Sequence, residues 1–171
     1  LQHTTHIVGV FRSIGVVDLA AQKASSVVKA LRRYLQGGPK TERRVVEVEQ
    51  DLETVLVLLQ NRLKDGVQVI RRYEGVQVWG SSEALTQVWL NLITNALQAM
   101  KYRGELILET RKVGHEVRVS VIDNGPGVPE EIKSFIFEPF FTTKKQEEGV
   151  GIGLEICRTI VQEQGGSCLL Y

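Results

Sequence analysis

Apolar residues recur along the chain at two spacings, and the alternation between them marks out helices and strands. From Val17 to Gln36 the spacing is three and four: Ala20, Ala24, Val27, Val28, Leu31, Tyr34 and Leu35 share one face. Lys23, Lys29, Arg32 and Arg33 fall largely elsewhere on the wheel, which predicts an amphipathic helix that must pack against something. Gly37-Gly38-Pro39 stops it. A short strand is predicted at Val45–Val48, then a helix at Asp51–Leu63 with Leu52, Val55, Leu56, Leu59 and Leu63 on one side. Val67, Val69 and Ile70 suggest a strand, and Val76–Trp79 a second. Ser81-Ser82-Glu83 offers a cap for a strongly apolar helix over about Glu83–Met100. Strands follow at Leu106–Thr110 and Val117–Ile122, with Gly114 suited to the hairpin turn between them. Asp123–Pro129 is a loop dense in Gly and Pro, and a short helical stretch follows near Pro129–Phe135. A loop at Phe140–Gly149 leads into a helix over about Gly153–Gln164, ended by Gly165-Gly166, and Cys168–Tyr171 starts a last strand. Helices mixed with mostly adjacent strands predict an α+β fold, a helix layer on a mixed sheet.

Composition narrows the class. The chain has 171 residues, 43% apolar and 24% charged, within the range of globular domains. Its 21 Lys and Arg against 20 Asp and Glu leave a net charge of +1, so no basic excess points to nucleic acid or an anionic membrane surface. The longest aliphatic run, Val55–Leu59, is far too short to span a bilayer. Two cysteines, Cys157 and Cys168, make no disulfide framework, which fits a reducing compartment. Opening on Leu1 without a signal-peptide pattern, the chain reads as a piece of a longer protein, whose targeting or membrane segments would lie outside it.

Three clusters carry candidate chemistry. Gly149-Val150-Gly151-Ile152-Gly153 stands where a loop becomes a helix, so glycines allow close backbone approach and free N–H groups face an anion. It lacks both the preceding strand of a dinucleotide fold and the Gly-Lys-Ser/Thr ending of a P-loop, and alone it is a weak phosphate signal. Asp123-Asn124-Gly125-Pro126-Gly127 follows an apolar strand. Either Asp and Asn bond their own backbone there, or the carboxylate accepts a hydrogen bond from a ligand amine while glycines admit a flat ring; the residues alone leave both open. Asn91 and Asn95, four apart on an otherwise apolar helix, need partners if buried and suit a cleft better than a solvated stripe. An amide oxygen also suits Mg²⁺.

The order of these clusters is more specific than any one of them. Leu90-Asn91-Leu92-Ile93-Thr94-Asn95-Ala96, then Asp123–Gly127, then Phe137-Glu138-Pro139-Phe140-Phe141-Thr142-Thr143-Lys144, then Gly149-Val150-Gly151-Ile152-Gly153-Leu154 resemble the asparagine, first glycine, phenylalanine and second glycine boxes of sensor histidine kinases of the GHKL ATP-binding superfamily. The resemblance covers about Val45–Tyr171. It implies a two-layer α/β sandwich that binds Mg·ATP and transfers the γ-phosphoryl group to a histidine, for relay to a response-regulator receiver domain. It implies that Asn95 binds Mg²⁺ and that Asn91 assists at the phosphates. Asp123 would accept from the adenine amine, Gly125 and Gly127 would shape the base pocket, and Val128 and Leu154 would line it. Phe140–Gly149 would be a mobile lid, with Thr142, Thr143 and Lys144 beside the nucleotide; Gly149, Val150, Gly151, Ile152 and Gly153 would let lid and helix approach the triphosphate.

Departures from the family pattern matter too. Gln98 stands where many relatives carry a phosphate-contacting Lys or Arg, Ala99 where some carry Tyr, and Val150 replaces a frequent Thr. Residues 1–40 resemble the end of the second dimerisation helix and its linker, implying a homodimer through that helix, and residues 41–171 the catalytic ATP-binding domain with its last strand cut short. No His followed by Glu or Asp on a first dimerisation helix is visible: His3 precedes Thr4, His6 precedes Ile7 and His115 lies beside a hairpin turn, so the phosphoacceptor is expected upstream. The resemblance implies a bacterial cytoplasmic region, in a parent protein with or without a membrane anchor. The rival readings are a hydrolytic ATPase of the gyrase, Hsp90 or mismatch-repair kind, which would place Glu at the position of Asn91, and a nucleotide-sensing scaffold without transferase activity.

Overall fold

The computed structural model describes residues 42–143 and 151–170, in the order β1 (Arg44–Glu47), α1 (Val48–Leu58), α2 (Gln60–Leu63), β2 (Val67–Arg72), β3 (Gln77–Gly80), α3 (Ser82–Ala99), β4 (Gly104–Val113), β5 (Glu116–Asp123) and α4 (Gly153–Glu163). The expected amphipathic helix at Val17–Gln36 lies outside the described residues.

The strands form two sheets. β1 and β3 pair antiparallel as a ribbon, with Val46 opposite Val78 and Val45 opposite Trp79. Period-two alternation puts Val46 inward at 3% exposure and leaves Val45 and Trp79 outward. The second sheet, ordered β2-β4-β5, is mixed: β2 runs parallel to β4 and β5 antiparallel to it. The parallel pair requires a crossover, which β3 and α3 supply. The antiparallel pair closes at Gly114, whose φ of 61° is the left-handed conformation a tight turn needs.

Helix and sheet meet along one face. α1 buries Val48, Leu52, Val55 and Leu56, and α3 buries Leu85, Val88, Trp89, Ile93, Ala96 and Leu97. Alternate β4 residues Leu106, Leu108 and Thr110 are fully buried beneath them. Ser81 caps α3, its hydroxyl accepting from Ala84 N at 3.2 Å.

Two expectations change. The first helix begins at Val48, three residues before Asp51, so Val48 leaves its expected strand for the helix. The cause is non-local. The Glu49 carboxylate in the first turn accepts from Thr110 Oγ1 at 2.6 Å and from Val76 N at 2.9 Å, which pins that turn to β4 and the β2–β3 connection. The expected strand at Cys168–Tyr171 is not formed over its described part, because Ser167–Leu170 pairs with no described strand. A strand is held by its neighbour's hydrogen bonds, and Leu169 stays 63% exposed.

Burial by itself would raise the Glu49 pKa, but the bonds from Thr110 and Val76 outweigh it and hold the carboxyl below its ordinary 4.5. A depressed carboxylate contributes stability above its unfolded pKa and loses it as pH falls through the folded value. Thr110 also accepts from Glu74 N at 3.2 Å. Thr110→Val is therefore expected to cost about 1–3 kcal/mol near neutral pH. The deficit should narrow as pH falls below 4.5 and through the lowered folded pKa of Glu49. Urea unfolding across pH reads it; a deficit that does not change with pH would show that Glu49 is not the partner that matters.

Candidate functional site

The site is built along the side of α3 that the core does not use. Gln87, Asn91 and Asn95 are spaced by four and share one helix face, all half-buried. That face meets the first turn of α4. Asn91 Nδ2 donates to Gly153 O at 3.3 Å, and its Oδ1 accepts from Gln87 Nε2 at 3.1 Å. A Cβ on Gly153 would stand 3.9 Å from Asn91 Cγ and 4.0 Å from Asn95 Nδ2, so both amides lie close against the start of α4.

The residues before α4 are in a confined position. Gly151 has a φ of +74°, and a Cβ there would come within 2.5 Å of Phe141 O. Only glycine fits both that conformation and that approach. The Phe140–Phe141 backbone is thereby laid against the α4 entry, with Phe140 itself at a φ of 66°. Phe141 packs on Phe135, ring centroids 6.1 Å apart, and Arg158 of α4 stands 5.7 Å over the Phe137 ring. Ile152 precedes the helix without a side-chain cap, so the first-turn N–H groups have no capping oxygen from that residue. Thr142 and Thr143 are exposed at the end of the Phe segment, and Ile152, Gly153 and Leu154 are half-buried. Lys144, Gly149 and Val150 lie outside the described residues.

Asp123 ends β5 at the other end of this face. Its Oδ1 accepts from Gly125 N at 2.9 Å, so the turn in which Asp bonds its own backbone is formed. The side chain nonetheless stays half-exposed, with a second oxygen on its carboxylate. Asn124 Oδ1 accepts from Glu105 N at 2.9 Å and anchors the loop to β4. A Cβ on Gly125 would come within 3.3 Å of Ala99, so this glycine lets the loop seat on the last residue of α3. Gly127 is left-handed at +73° and Val128 is half-buried. Ala99, Asn95 and Asn91 are thus successive four-residue steps along α3. At 1.5 Å per residue they run about 12 Å from the Asp123 loop to the α4 entry.

Sequence reasoning passed over two residues here. Gln87 is an amide four residues before Asn91, a spacing that was there to be read. Cys157 is fully buried behind the site, its thiol donating to Val88 O at 3.8 Å. Burial pushes that thiol up to about 12, which makes it a packing group rather than a nucleophile.

The donor set suits a metal shared with a ligand. Among the described residues no group of three His, Cys, Asp or Glu could hold an ion alone. An amide oxygen fits a hard cation that keeps its waters and takes further oxygens from phosphate, the kind of anion that a helix N-terminus favours.

Known proteins share this fold. Residues 80–170 match the family of histidine kinase-, DNA gyrase B- and HSP90-like ATPases. The C4-dicarboxylate transport sensor protein DctB of Rhizobium meliloti is 31% identical over 156 residues, covering 85% of this chain and 24% of that protein. The sensory histidine kinase/phosphatase NtrB of Azospirillum brasilense is 34% identical over 142 residues, covering 73% of this chain and 35% of that one. The chain thus spans about a quarter to a third of these relatives' length. The catalytic domain of histidine kinase ThkA superposes with a TM-score of 0.64 at 33% identity, covering 72% of this chain and 82% of that one. ThkA in complex with the response regulator protein TrrA gives 0.65 at 28% identity, over 85% of this chain and 43% of that one. With family match, relatives and fold in agreement, this chain belongs to the histidine kinase-, DNA gyrase B- and HSP90-like ATPase family, as an ATP-binding catalytic domain of the sensor histidine kinase type.

Proposed function

We propose that this chain binds Mg·ATP along α3 and passes the γ-phosphoryl group to a histidine of a dimerisation domain, for relay to a response-regulator receiver domain. The observation that carries the reading is the line from Asp123 to Gly153. A half-exposed carboxylate stands at one end, and two amides and a helix N-terminus stand at the other. The Asp123 carboxylate would accept from the exocyclic amine of adenine, with Gly125, Gly127, Val128 and Leu154 around the base. The α4 N–H groups, with Gly149, Val150, Gly151 and Ile152 before them, would face the phosphates at the positive end of the helix dipole. Thr142, Thr143 and Lys144 would close over them. Asn95 would hold Mg²⁺, which when bound neutralises phosphate charge and orients the γ-phosphoryl group. Asn91 would steady the phosphate end of the site.

Hydrolysis is disfavoured by the Asn91 amide. It cannot take a proton from water as a carboxylate can, and both its ends are engaged, by Gln87 and by Gly153. The parent protein would be bacterial, with this region in the cytoplasm. Among the described residues no helix is long and apolar enough to cross a membrane.

Calorimetry separates the two ends of the site. Asp123→Asn puts a donor where the adenine amine needs an acceptor and should weaken ATP by about 1–3 kcal/mol, roughly five- to 150-fold. Asn95→Ala should weaken Mg·ATP more than metal-free ATP. Unchanged ATP affinity in the first variant would remove the adenine assignment, and equal losses with and without Mg²⁺ in the second would remove the metal ligand.

Transfer is tested with labelled ATP. The 171-residue chain alone is expected to gain no acid-labile, base-stable phosphate, yet to label a separately supplied dimerisation domain slowly, since the tether that raises effective concentration is missing. Phosphate on His3 or His6 would put the acceptor inside this chain. Free phosphate released without any labelled protein would favour the hydrolytic reading, and nucleotide bound but never turned over the scaffold reading.

The Val17–Gln36 stripe, lying outside the described residues, would pair two copies two-fold. Light scattering should then give a dimer that Leu31→Glu dissociates; a monomeric parent chain would dismiss the pairing.

A further inference from the structure

We infer that Gln87 is a positioning residue that locks the Asn91 amide in the orientation set by the Gly153 carbonyl, with its NH₂ end toward the α4 entry. The inference rests on the nucleotide reading for its consequence, though not for its geometry. An asparagine amide has nearly the same shape either way round, so shape cannot choose its orientation; its hydrogen-bond partners must. One partner chooses it here and a second holds it. The Gly153 carbonyl can only accept, so at 3.3 Å it calls for the NH₂ end of Asn91. Gln87, one turn earlier on the same helix face, can meet either end of Asn91; with the NH₂ end committed to Gly153, it donates its own NH₂ to the remaining oxygen at 3.1 Å and locks the amide in place. With Gly153 as close to Asn91 as a Cβ contact distance of 3.9 Å implies, the amide is enclosed on these sides.

The consequence follows from charge. The orientation turns a donor, not an acceptor, toward the helix terminus where phosphate oxygens would lie. It also spends the amide oxygen on Gln87. Gln87→Glu reverses the instruction. A carboxylate can only accept, so Asn91 should turn its NH₂ to Glu at position 87 and present its oxygen to the Gly153 carbonyl. Two acceptors would then face each other across the α3–α4 contact, and an oxygen would face the phosphates. Gln87→Met keeps the length and offers neither donor nor acceptor, so it releases the amide without inverting it.

A double-mutant cycle in the full chain tests this, with Mg·ATP affinity by calorimetry and side-chain amide contacts by NMR. Gln87→Glu is expected to weaken Mg·ATP about tenfold and Gln87→Met by less. In an Asn91→Ala background either change should alter affinity by less than about twofold, because the group it acts through is gone. Without nucleotide, the Asn91 NH₂ protons should contact Gly153 in the parent chain and the residue 87 side chain in Gln87→Glu. Losses of equal size in both backgrounds would overturn the inference, as would Asn91 contacts unchanged by Gln87→Glu. If the parent chain bound no nucleotide, the functional proposal would fall while the NMR contacts still decided the role of Gln87. Should Gln87→Glu fail to fold, Gln87→Met carries both readouts, with the contact of the Asn91 NH₂ protons to Gly153 weakened relative to the parent chain as the supporting result and unchanged as the refuting one.

Discussion

The structure depends on one constraint: α3 must be apolar on one side and amide-bearing on another. Its core side, from Leu85 through Leu97, closes over Leu106 and Leu108 of β4. Burial of such side chains is worth roughly 1.5–3 kcal/mol each before the entropy of ordering them is set against it, enough to hold the helix rigidly on the sheet. That rigidity lets the other side act as a ruler, with Asn91, Asn95 and Ala99 at fixed intervals between two glycine-bearing loops. A helix held less firmly would leave the same residues without a defined spacing.

α4 is held against this ruler along its whole length, by contacts of different kinds. At its start Gly153 meets Asn91, and in the middle Cys157 meets the Val88 carbonyl. At its end Gln164 Oε1 accepts from Ser81 N at 3.2 Å, the residue that also caps α3, and Arg43 donates to the Glu163 carbonyl. Most of these bonds go to backbone groups, which cannot move independently of the fold. The helix N-terminus is therefore placed by the scaffold, a better support for a site than loop residues alone.

Polar groups complete the scaffold where the hydrophobic layer ends. Glu53 pairs with Arg71 at 2.7 Å and accepts from Tyr73 Oη at 3.0 Å, tying α1 to β2 and the segment after it. Burial, together with the bond to Glu53, raises the Tyr73 pKa well above its usual value, so the phenol remains a donor. The Arg71–Glu53 pair itself is substantially exposed and adds little energy. Glu49, bonded to Thr110 and Val76, has a more protected position.

The sequence by itself determined the order and kind of the elements, because periodicity and turn chemistry are local. It marked α3, the Gly114 hairpin and the glycine entry to α4 nearly to the residue, and the order of four short motifs was enough to name a family. It also marked Asn91, Asn95 and Asp123, residue types out of place in apolar or strand-end settings. Tertiary structure alone decided the rest. The early start of α1 depends on Thr110, sixty-one residues away. Whether Asp123 would bond its own loop or stay open to a ligand could not be read from five residues, since it does the first with one oxygen and remains half-exposed. Gln87 drew no notice because its meaning lies in what Asn91 does next, and that depends on a carbonyl brought up by another helix. Local pattern sets what each segment can become; which way an amide faces, or where a helix begins, is set by partners that only folding brings within 3 Å or so.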